Sequence, residues 1–300
     1  MTSEGTTETI GFIGLGVMGG PMCRNVARKH PGRLLAQDLS AEALAALADT
    51  RAEPASVDAI AAAADVVCLS LPGGPQVEAV CERLVAAGLR AGSVVVDLST
   101  TPVATARAVA ARLAERGVDF ADAPVARTRE AAQRGELAIM VGAAPAVFAR
   151  IEPILAYMAT DITHGGDVGA GQVLKLVNNM LVFEHVVALA EMMVLAERAG
   201  VAPKTMLEAV SKGSGDSFVL RNHGMKAMLP RAFPERAFPP EYVLKDIGYV
   251  FQLAGETGVP IKAAETARRY YELAVEHGLG GQYFPGVIRL VERGVLGEER

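Results

Sequence analysis

The chain has 300 residues, enough for one large domain or two ordinary ones, and 51% of them are hydrophobic, which excludes a disordered polypeptide. The formal net charge is −5 with both signs interspersed, so no basic stripe is available to bind nucleic acid. The N-terminal stretch "MTSEGTTETIGFIG" lacks the features of a secretory signal, and no run of about 18 apolar residues predicts a membrane span. Cys23, Cys68 and Cys81 form no CxxC pair, so we expect buried free thiols in a reducing cytoplasm.

From the N-terminus to about residue 165, short β-rich runs alternate with alanine-rich helical stretches. The runs lack polar alternation, which is typical of strands buried on both faces in a parallel sheet. Ser40 is the predicted N-cap of one helix, and Thr100 or Thr101 that of another. The alternation predicts an α/β fold with a doubly wound parallel Rossmann sheet. The predicted strands cover residues 9–14, 33–38, 65–72, 93–99, 118–124 and 137–142.

The pattern changes after two pairs of glycines near residues 165–171. Residues 172–200 contain no proline and no glycine before Gly200, and apolar residues occupy most helical faces. We therefore predict one long helix, buried against other helices over much of its length. The remainder is helical or looped, so we predict a Rossmann domain over residues 1–167 and an all-helical substrate and oligomerisation domain over residues 168–300.

Gly14, Gly16 and Gly19 form a G-x-G-x-x-G motif directly after the first predicted strand. Glycines at this spacing permit a tight turn and let the backbone approach a pyrophosphate at the start of a helix. Asp38 lies 22 residues beyond Gly16, where a carboxylate accepts ribose hydroxyls and repels a 2′-phosphate, which favours NAD over NADP. The alternative is that Asp38 caps a helix, although Ser40 is the better-placed cap.

Lys175 lies near the start of the predicted long helix, and Asn179 shares its face one turn later. A lysine in a dry site has a lowered pKa and serves as a general acid or base, while a neighbouring amide fixes a substrate oxygen. A lysine near a helix start is equally explained as a surface residue whose stem packs on apolar neighbours. Spacing alone leaves both explanations open.

Five motifs occur in order over almost the whole chain: "GFIGLGVMGGPM", "DLST", "DAPV" with "GEL" and "IMVG", "GAGQVLKLVNNM" and "LKDIGYV". Together they resemble the β-hydroxyacid dehydrogenase family typified by 3-hydroxyisobutyrate dehydrogenase. The resemblance implies a Rossmann domain followed by an all-helical domain, with the active site in the cleft between them.

The resemblance also implies a role for each matching residue. Lys175 would be the catalytic general acid or base, and because imine reductases of related sequence usually lack this lysine, it favours alcohol and aldehyde chemistry. The implied substrate contacts are Asn178, Asn179, Phe238 and Asp246. Besides the three glycines and Asp38, the implied cofactor contacts are Val17, Met18, Leu71, Pro72, Thr100 and Lys245.

The loop after "DAPV" departs from the family, which usually continues with a serine and two glycines where this chain has Ala126, Arg127 and Thr128. The substitution resembles the loop of sulfolactaldehyde reductase, a family member that binds a sulfonate, although residues 211–224 do not follow that protein's pattern. A guanidinium fits carboxylate, sulfonate or phosphate oxygens, so we predict that Arg127 and Thr128 contact an anionic substrate. The alternative is that Arg127 is a surface arginine in a charge run with Arg129.

These observations predict an NAD-dependent oxidoreductase that interconverts a small anionic 3-hydroxy acid, similar to 3-hydroxyisobutyrate, and its aldehyde. Two alternatives remain: a reductase of a sulfonated or other anionic aldehyde such as sulfolactaldehyde, and a non-catalytic nucleotide-binding protein, against which Lys175, Asn179 and Lys245 together count. The scattered histidines predict no metal site. We expect no nucleic-acid or membrane partner, and a homodimer or homotetramer.

Overall fold

The computed structural model describes residues 7–235 and 237–295. The chain divides into two compact units, with the division after Lys175 inside one long helix. The boundary predicted from the sequence, after residue 167, lies just before the start of that helix. Each unit is described by itself below.

The N-terminal unit contains a nine-stranded sheet in the order β3-β2-β1-β4-β5-β6-β8-β7, with β9 paired to β8. All strand pairs from β3 to β6 are parallel, and β1, β4 and β5 are completely buried, which confirms the predicted α/β fold. The strands are β1 (Ile10–Ile13), β2 (Leu34–Gln37), β3 (Glu53–Pro54), β4 (Val66–Leu69), β5 (Val94–Asp97), β6 (Asp119–Asp122), β7 (Val125–Ala126), β8 (Leu137–Gly142) and β9 (Ala159–Gly166).

All six predicted strands are present, but the sheet is not parallel throughout. β8 runs antiparallel to both β6 and β7, while β9 returns parallel to β8. Two residues separate β7 from β6, and β7 pairs directly with β8. β3, β7 and β9 are additional to the prediction.

Helices cover both faces of this sheet. Their N-caps show how far the local sequence determines where each helix begins. Ser40 caps its helix as predicted, with its side chain accepting the Ala43 N–H at 3.2 Å. The predicted threonine cap is wrong, because Pro102 occupies the N-cap and the Thr101 hydroxyl donates to Asp97 instead. The helices are α1 (Gly19–Lys29), α2 (Ala41–Ala45), α3 (Val57–Ala63), α4 (Gly74–Ala86), α5 (Val103–Ala114), α6 (Arg129–Arg134), α7 (Pro145–Leu155) and α8 (Ala170–Arg198), which continues into the second unit.

The C-terminal unit is helical, as predicted. A core of buried aliphatic and aromatic residues joins its elements. After α8 these are α9 (Pro203–Val210), a π-helix (Leu220–Met228), α10 (Pro240–Thr257), α11 (Lys262–Glu276), a 3-10 helix (Phe284–Val287) and α12 (Ile288–Arg293).

α8 is less buried than its composition predicts. Along one face, Val177, Leu181, Met192 and Leu195 are each about half exposed. Among the described residues it is the single helix long and apolar enough to cross a membrane, with a mean hydropathy of 1.6 over its most apolar window. Length and composition alone do not separate such a segment from the central helix of a globular domain.

His223 is a buried polar group in the C-terminal core. Its Nδ1 lies 2.9 Å from the Tyr283 hydroxyl oxygen, and its ring packs 5.1 Å from that of Phe284. Burial lowers the pKa of His223 from 6.5 to about 4. The imidazole is therefore neutral in the folded protein at neutral pH.

We predict that His223 makes the protein sensitive to mild acid. As the pH falls from about 6.5 to 4, His223 becomes protonated in the unfolded chain but stays neutral in the folded chain. The contribution of His223 to the free energy of unfolding is therefore constant above this pH range and decreases within it. Relative to His223→Gln, the wild type should lose roughly 3 kcal/mol of unfolding free energy between pH 7 and 4, from about 1.4 kcal/mol per pKa unit. Urea denaturation at a series of pH values measures this difference, in which groups common to both proteins cancel. A difference that stays constant with pH would contradict the prediction.

Candidate functional site

The predicted cofactor residues of the N-terminal unit lie at one edge of the sheet. Parallel strands share the edge at which their carboxyl ends meet, and ligands of open α/β sheets bind there. Lys245 is the exception, since it lies on α10 in the other unit. The residues at this edge are Gly14, Gly16, Val17, Met18 and Gly19 after β1, Asp38 after β2, Leu71 and Pro72 after β4, and Thr100 after β5.

The glycine loop after β1 has the geometry of a phosphate cradle. Gly14 has a φ of +94°, and a Cβ on it would lie 2.2 Å from the carbonyl oxygen of Ser70. A Cβ on Gly19 would lie 2.0 Å from the carbonyl oxygen of Gly14, so the first and third glycines are required by the fold. A Cβ on Gly16, by contrast, would meet no atom within 4 Å. The second glycine therefore opens the backbone to a ligand, and this loop fits a dinucleotide.

Asp38 lies on the wall of a cavity of about 730 Å³ beside this loop. Its Oδ2 accepts the Leu15 N–H at 2.5 Å, and its Oδ1 accepts the Ser40 N–H at 2.8 Å. Each carboxylate oxygen retains a lone pair for a ribose hydroxyl. Leu39, the next residue along the chain, is 99% exposed.

Three arginines line the same cavity: Arg24, Arg28 and Arg129. The Arg24 guanidinium is paired with Asp49 at 2.7 Å, and this partner raises the pKa of Arg24 above its usual range. The cavity wall thus combines the Asp38 carboxylate with cations that sequence reasoning did not place there.

The first turn of α8 is bonded to the carboxyl edge of the sheet. The side chain of Asp122, at the end of β6, is fully buried and accepts the Gly169 N–H at 2.6 Å and the Gln172 N–H at 2.7 Å. The Gln172 side chain accepts the Thr101 N–H at 3.0 Å and donates to the Ser99 carbonyl at 2.9 Å. We name this group the first-turn socket; it consists of Asp97, Ser99, Thr101, Asp122 and Gln172.

The socket extends to a cofactor loop. Asp97, also fully buried, accepts the Ser99 N–H at 2.9 Å and the Thr101 hydroxyl at 2.7 Å. The Ser99 hydroxyl oxygen in turn accepts the Leu71 N–H at 2.9 Å. The loop after β4 and the start of α8 are therefore joined through one residue.

Burial raises the pKa of both socket carboxyls, Asp97 and Asp122, to about 6, against the opposing effect of their hydrogen bonds. Sequence reasoning missed both residues. The available signal was an acidic residue that ends a strand directly after apolar residues, as in "VVVD" and "DFAD".

Lys175 is half-buried on α8, one turn after Gln172 and one turn before Asn179. In the C-terminal unit, Asn179 donates to Asp246 Oδ2 at 2.8 Å, and Lys245 Nζ lies 3.0 Å from Asp246 Oδ1. The Asn178 side chain donates to Asn179 Oδ1 at 3.2 Å. The structure thus joins four predicted site residues in one polar chain.

Asp246 is only 2% exposed, so its contacts suit it to orienting the Asn179 amide. Phe238, the remaining predicted substrate contact of this unit, packs against Phe183 and Phe284 with ring centres 6.2 and 5.9 Å apart. It belongs to the same aromatic cluster as His223.

Arg127 and Thr128 are engaged within the protein. The Arg127 guanidinium donates to the Glu136 carbonyl at 2.7 Å, to the Thr160 hydroxyl at 2.9 Å and to Asp161 Oδ2 at 2.6 Å. The Thr128 hydroxyl oxygen caps α6 by accepting the Ala131 N–H at 3.4 Å. Their contact with a substrate stays a prediction.

The backbone at Arg127 has a φ of +86°, a conformation that favours glycine. The glycine that the family resemblance implies at this position would adopt it without strain. Here the three guanidinium bonds hold the loop in place despite the side chain.

Among the described residues, no group of three or more His, Cys, Asp or Glu side chains is arranged to hold a metal ion.

Comparisons with known proteins cover both units. Residues 9–166 match the NAD-binding domain of 6-phosphogluconate dehydrogenase, and residues 169–291 match the NAD-binding domain of NADP-dependent 3-hydroxyisobutyrate dehydrogenase. The chain is 36% identical over 287 residues to 2-(hydroxymethyl)glutarate dehydrogenase of Eubacterium barkeri, covering 95% of each chain. It is 31% identical to 2-hydroxy-3-oxopropionate reductase of Escherichia coli, covering 90% of this chain and 92% of that one.

A solved structure of 3-hydroxyisobutyrate dehydrogenase from Mycobacterium tuberculosis, with L-serine, superposes with a TM-score of 0.86 at 29% identity. The superposition covers 95% of this chain and 99% of that one.

We predict that Arg127→Gly is more stable than Arg127→Ala. Both variants lose the same guanidinium bonds, but alanine keeps the cost of the positive φ, worth about 1 kcal/mol. Urea denaturation measures the difference. As a control, the same pair at Arg129, in the first turn of α6, should show the reverse order because glycine is the poorer helix former. Equal stability of the two Arg127 variants would contradict the prediction.

Proposed function

The chain belongs to the β-hydroxyacid dehydrogenase family, and on that premise we propose that it interconverts a small anionic 3-hydroxy acid, similar to 3-hydroxyisobutyrate, and its aldehyde with NAD. As a family member it is an NAD(P)-dependent oxidoreductase. One observation carries the finer proposal: the helix turn that leads into Lys175 is bonded to the same sheet edge as the cofactor loops.

The cofactor, when bound, accepts or supplies the hydride. Lys175 Nζ takes the proton of the substrate hydroxyl during oxidation and returns it during reduction. Asn179 binds a substrate oxygen, with its amide oriented by Asp246 and Asn178. The glycine loop would hold the pyrophosphate of the cofactor, and Asp38 would hold the adenosine ribose.

Substrate class is supported by the names of the relatives. 2-(Hydroxymethyl)glutarate, 3-hydroxyisobutyrate and 2-hydroxy-3-oxopropionate each carry a carboxylate and an oxygen on the β-carbon. A sulfonated aldehyde has no comparable support, since Arg127 and Thr128 are bonded to Asp161 and to α6.

Asp38 supports NAD over NADP, because its carboxylate would repel a 2′-phosphate on the same cavity wall. The arginines of that cavity act in the opposite sense, but Arg24 already has Asp49 as its counter-ion. The effect of the Asp38 carboxylate on a 2′-phosphate outweighs that of the arginines, because Coulomb energy increases at short distance. Asp38 directly follows β2, where the ribose hydroxyls would bind.

The test is a panel of hydroxy acids and aldehydes, followed by nicotinamide absorbance with each cofactor. We expect turnover of carboxylates with a higher kcat/KM for NAD than for NADP. Lys175→Ala should lower kcat by roughly 10²–10⁴-fold, the range for loss of a general acid or base, while NAD still binds. Lys204→Ala, at a lysine whose side chain is 73% exposed, is the matched control.

Three results would contradict parts of the proposal. Near-normal kcat in Lys175→Ala would remove the assigned proton-transfer role. Comparable kcat/KM with both cofactors would remove the NAD preference. Turnover of sulfonates but not of carboxylates would replace the substrate class.

We also propose that the protein is a homo-oligomer whose subunits pair through the exposed face of α8. Val177, Leu181, Ala188 and Met192 lie along this face. The pattern is symmetric about the point between residues 184 and 185, so two antiparallel copies would place Val177 opposite Met192 and Leu181 opposite Ala188. Glu184 would then face His185 of the second copy, which pairs a carboxylate with an imidazole.

We predict that Leu181→Glu weakens this association, because paired copies would bury a charge in an apolar interface. Sedimentation equilibrium should give a mass of two or more chains for the wild type and a smaller mass for the variant. Val259→Glu, at a residue 55% exposed elsewhere in the same unit, should leave the mass unchanged. A monomeric wild type, or an unchanged mass in Leu181→Glu, would contradict the proposal.

We also propose that the protein is cytoplasmic and has no nucleic-acid or membrane partner. Cys23, Cys68 and Cys81 are buried free thiols, which suits a reducing compartment. The first turn of α8 is hydrogen-bonded to the sheet through Asp122. This contact supports α8 as the central helix of a globular protein and not as a membrane span, despite the high hydropathy of the helix.

A further inference from the structure

We propose that Asp122 is a positioning residue for Lys175. Together with Gln172 it fixes the first turn of α8, and with it the lysine one turn later, against the carboxyl edge of the sheet. The inference rests on the proposed function, which assigns proton transfer to Lys175. Asp122 itself is not assigned a contact with substrate or cofactor.

Asp122 supplies a helix cap from outside the helix. The first N–H groups of an α-helix have no partner within it, and a carboxylate there also complements the helix dipole. Asp122 accepts two of these groups, from Gly169 and Gln172, at 2.6 and 2.7 Å. Two bonds from one buried carboxylate fix both the position and the rotation of the turn.

Two glycines bring the helix and the sheet into backbone contact. A Cβ on Gly142, in β8, would lie 2.5 Å from Asp122 Oδ1 and 2.8 Å from the Ala170 nitrogen. A Cβ on Gly171 would lie 2.4 Å from the Met140 carbonyl oxygen and 2.9 Å from Asp122 Oδ2. The contact leaves no room for a side chain, so a small displacement of the carboxylate displaces the helix.

The same turn is connected to the cofactor side. Gln172 is bonded to Ser99, and Ser99 is bonded to Leu71 in the loop after β4. Lys175 follows Gln172 by three residues, so the two lie on neighbouring positions of one helix face. The socket therefore sets the distance between the lysine and the edge that carries the cofactor loops.

The experiment compares Asp122→Asn with the wild type. The variant keeps the shape of the side chain, but its amide nitrogen is a donor and faces one of the two helix N–H groups. We expect kcat to fall at least about tenfold, since a misplacement of about 1 Å costs up to about 100-fold. The KM and the Kd for NAD should change by less than about threefold, because the glycine loop and Asp38 are untouched.

A second readout uses the protein without cofactor or substrate. Hydrogen exchange at the first turn of α8 should accelerate in Asp122→Asn, and the pH profile for labelling Lys175 with an amine-reactive reagent should shift. Gly142→Ala keeps the carboxylate but pushes it aside, and we expect the same loss of kcat. This variant gives an independent answer if Asp122→Asn folds poorly.

Asp65→Asn is the matched control. Asp65 also accepts a backbone N–H, that of Thr9 at 2.8 Å, but it lies just before β4 at the opposite edge of the sheet. Equal losses of kcat in the two variants at equal loss of Tm, with an unshifted Lys175 labelling profile, would show that Asp122 is merely structural. Normal kcat in Asp122→Asn with an inactive Lys175→Ala would overturn this inference alone, whereas an active Lys175→Ala would overturn the proposed function.

Discussion

Two backbone N–H groups at the start of α8 donate to one buried carboxylate, and the functional edge of the N-terminal unit depends on this contact. A carboxylate without hydrogen bonds would be costly at full burial, and helix N–H groups without acceptors would be costly as well. Asp122 satisfies both requirements at once. The loops after β4 and β5 join the same network through Ser99 and Gln172, so these loops and the helix are held by a common set of bonds.

The N-terminal fold could be predicted because its signals are local. Apolar runs without polar alternation marked six strands, and the glycine spacing marked the loop after β1. β3 and β7 have two residues each, too few for any periodicity, and β9 is mostly exposed with a polar sequence. The threonine cap failed because the Thr101 hydroxyl had a second acceptor, Asp97, which local sequence does not reveal.

The site was less accessible to sequence reasoning, since its bonds join distant parts of the chain. Asn179 and Asp246 are 67 residues apart, and Asp122 and Gly169 are 47 apart. Arg127 is the clearest case: sequence offered a choice between a substrate contact and a solvated surface arginine. The structure adds a third role: the Arg127 guanidinium donates to Asp161 and so stabilises the loop in which Arg127 itself has a positive φ.

The two hydrogen bonds accepted by Asp38 have a consequence for protein engineering. Acidic residues at the end of β2 are natural targets for changing a dehydrogenase from one nicotinamide cofactor to the other. In this protein the same carboxylate ties Leu15 of the glycine loop to Ser40 at the start of α2. Replacing it would therefore disturb the glycine loop as well as the proposed ribose contact, and a redesigned enzyme would need a new acceptor for the Leu15 N–H before it could gain a new cofactor.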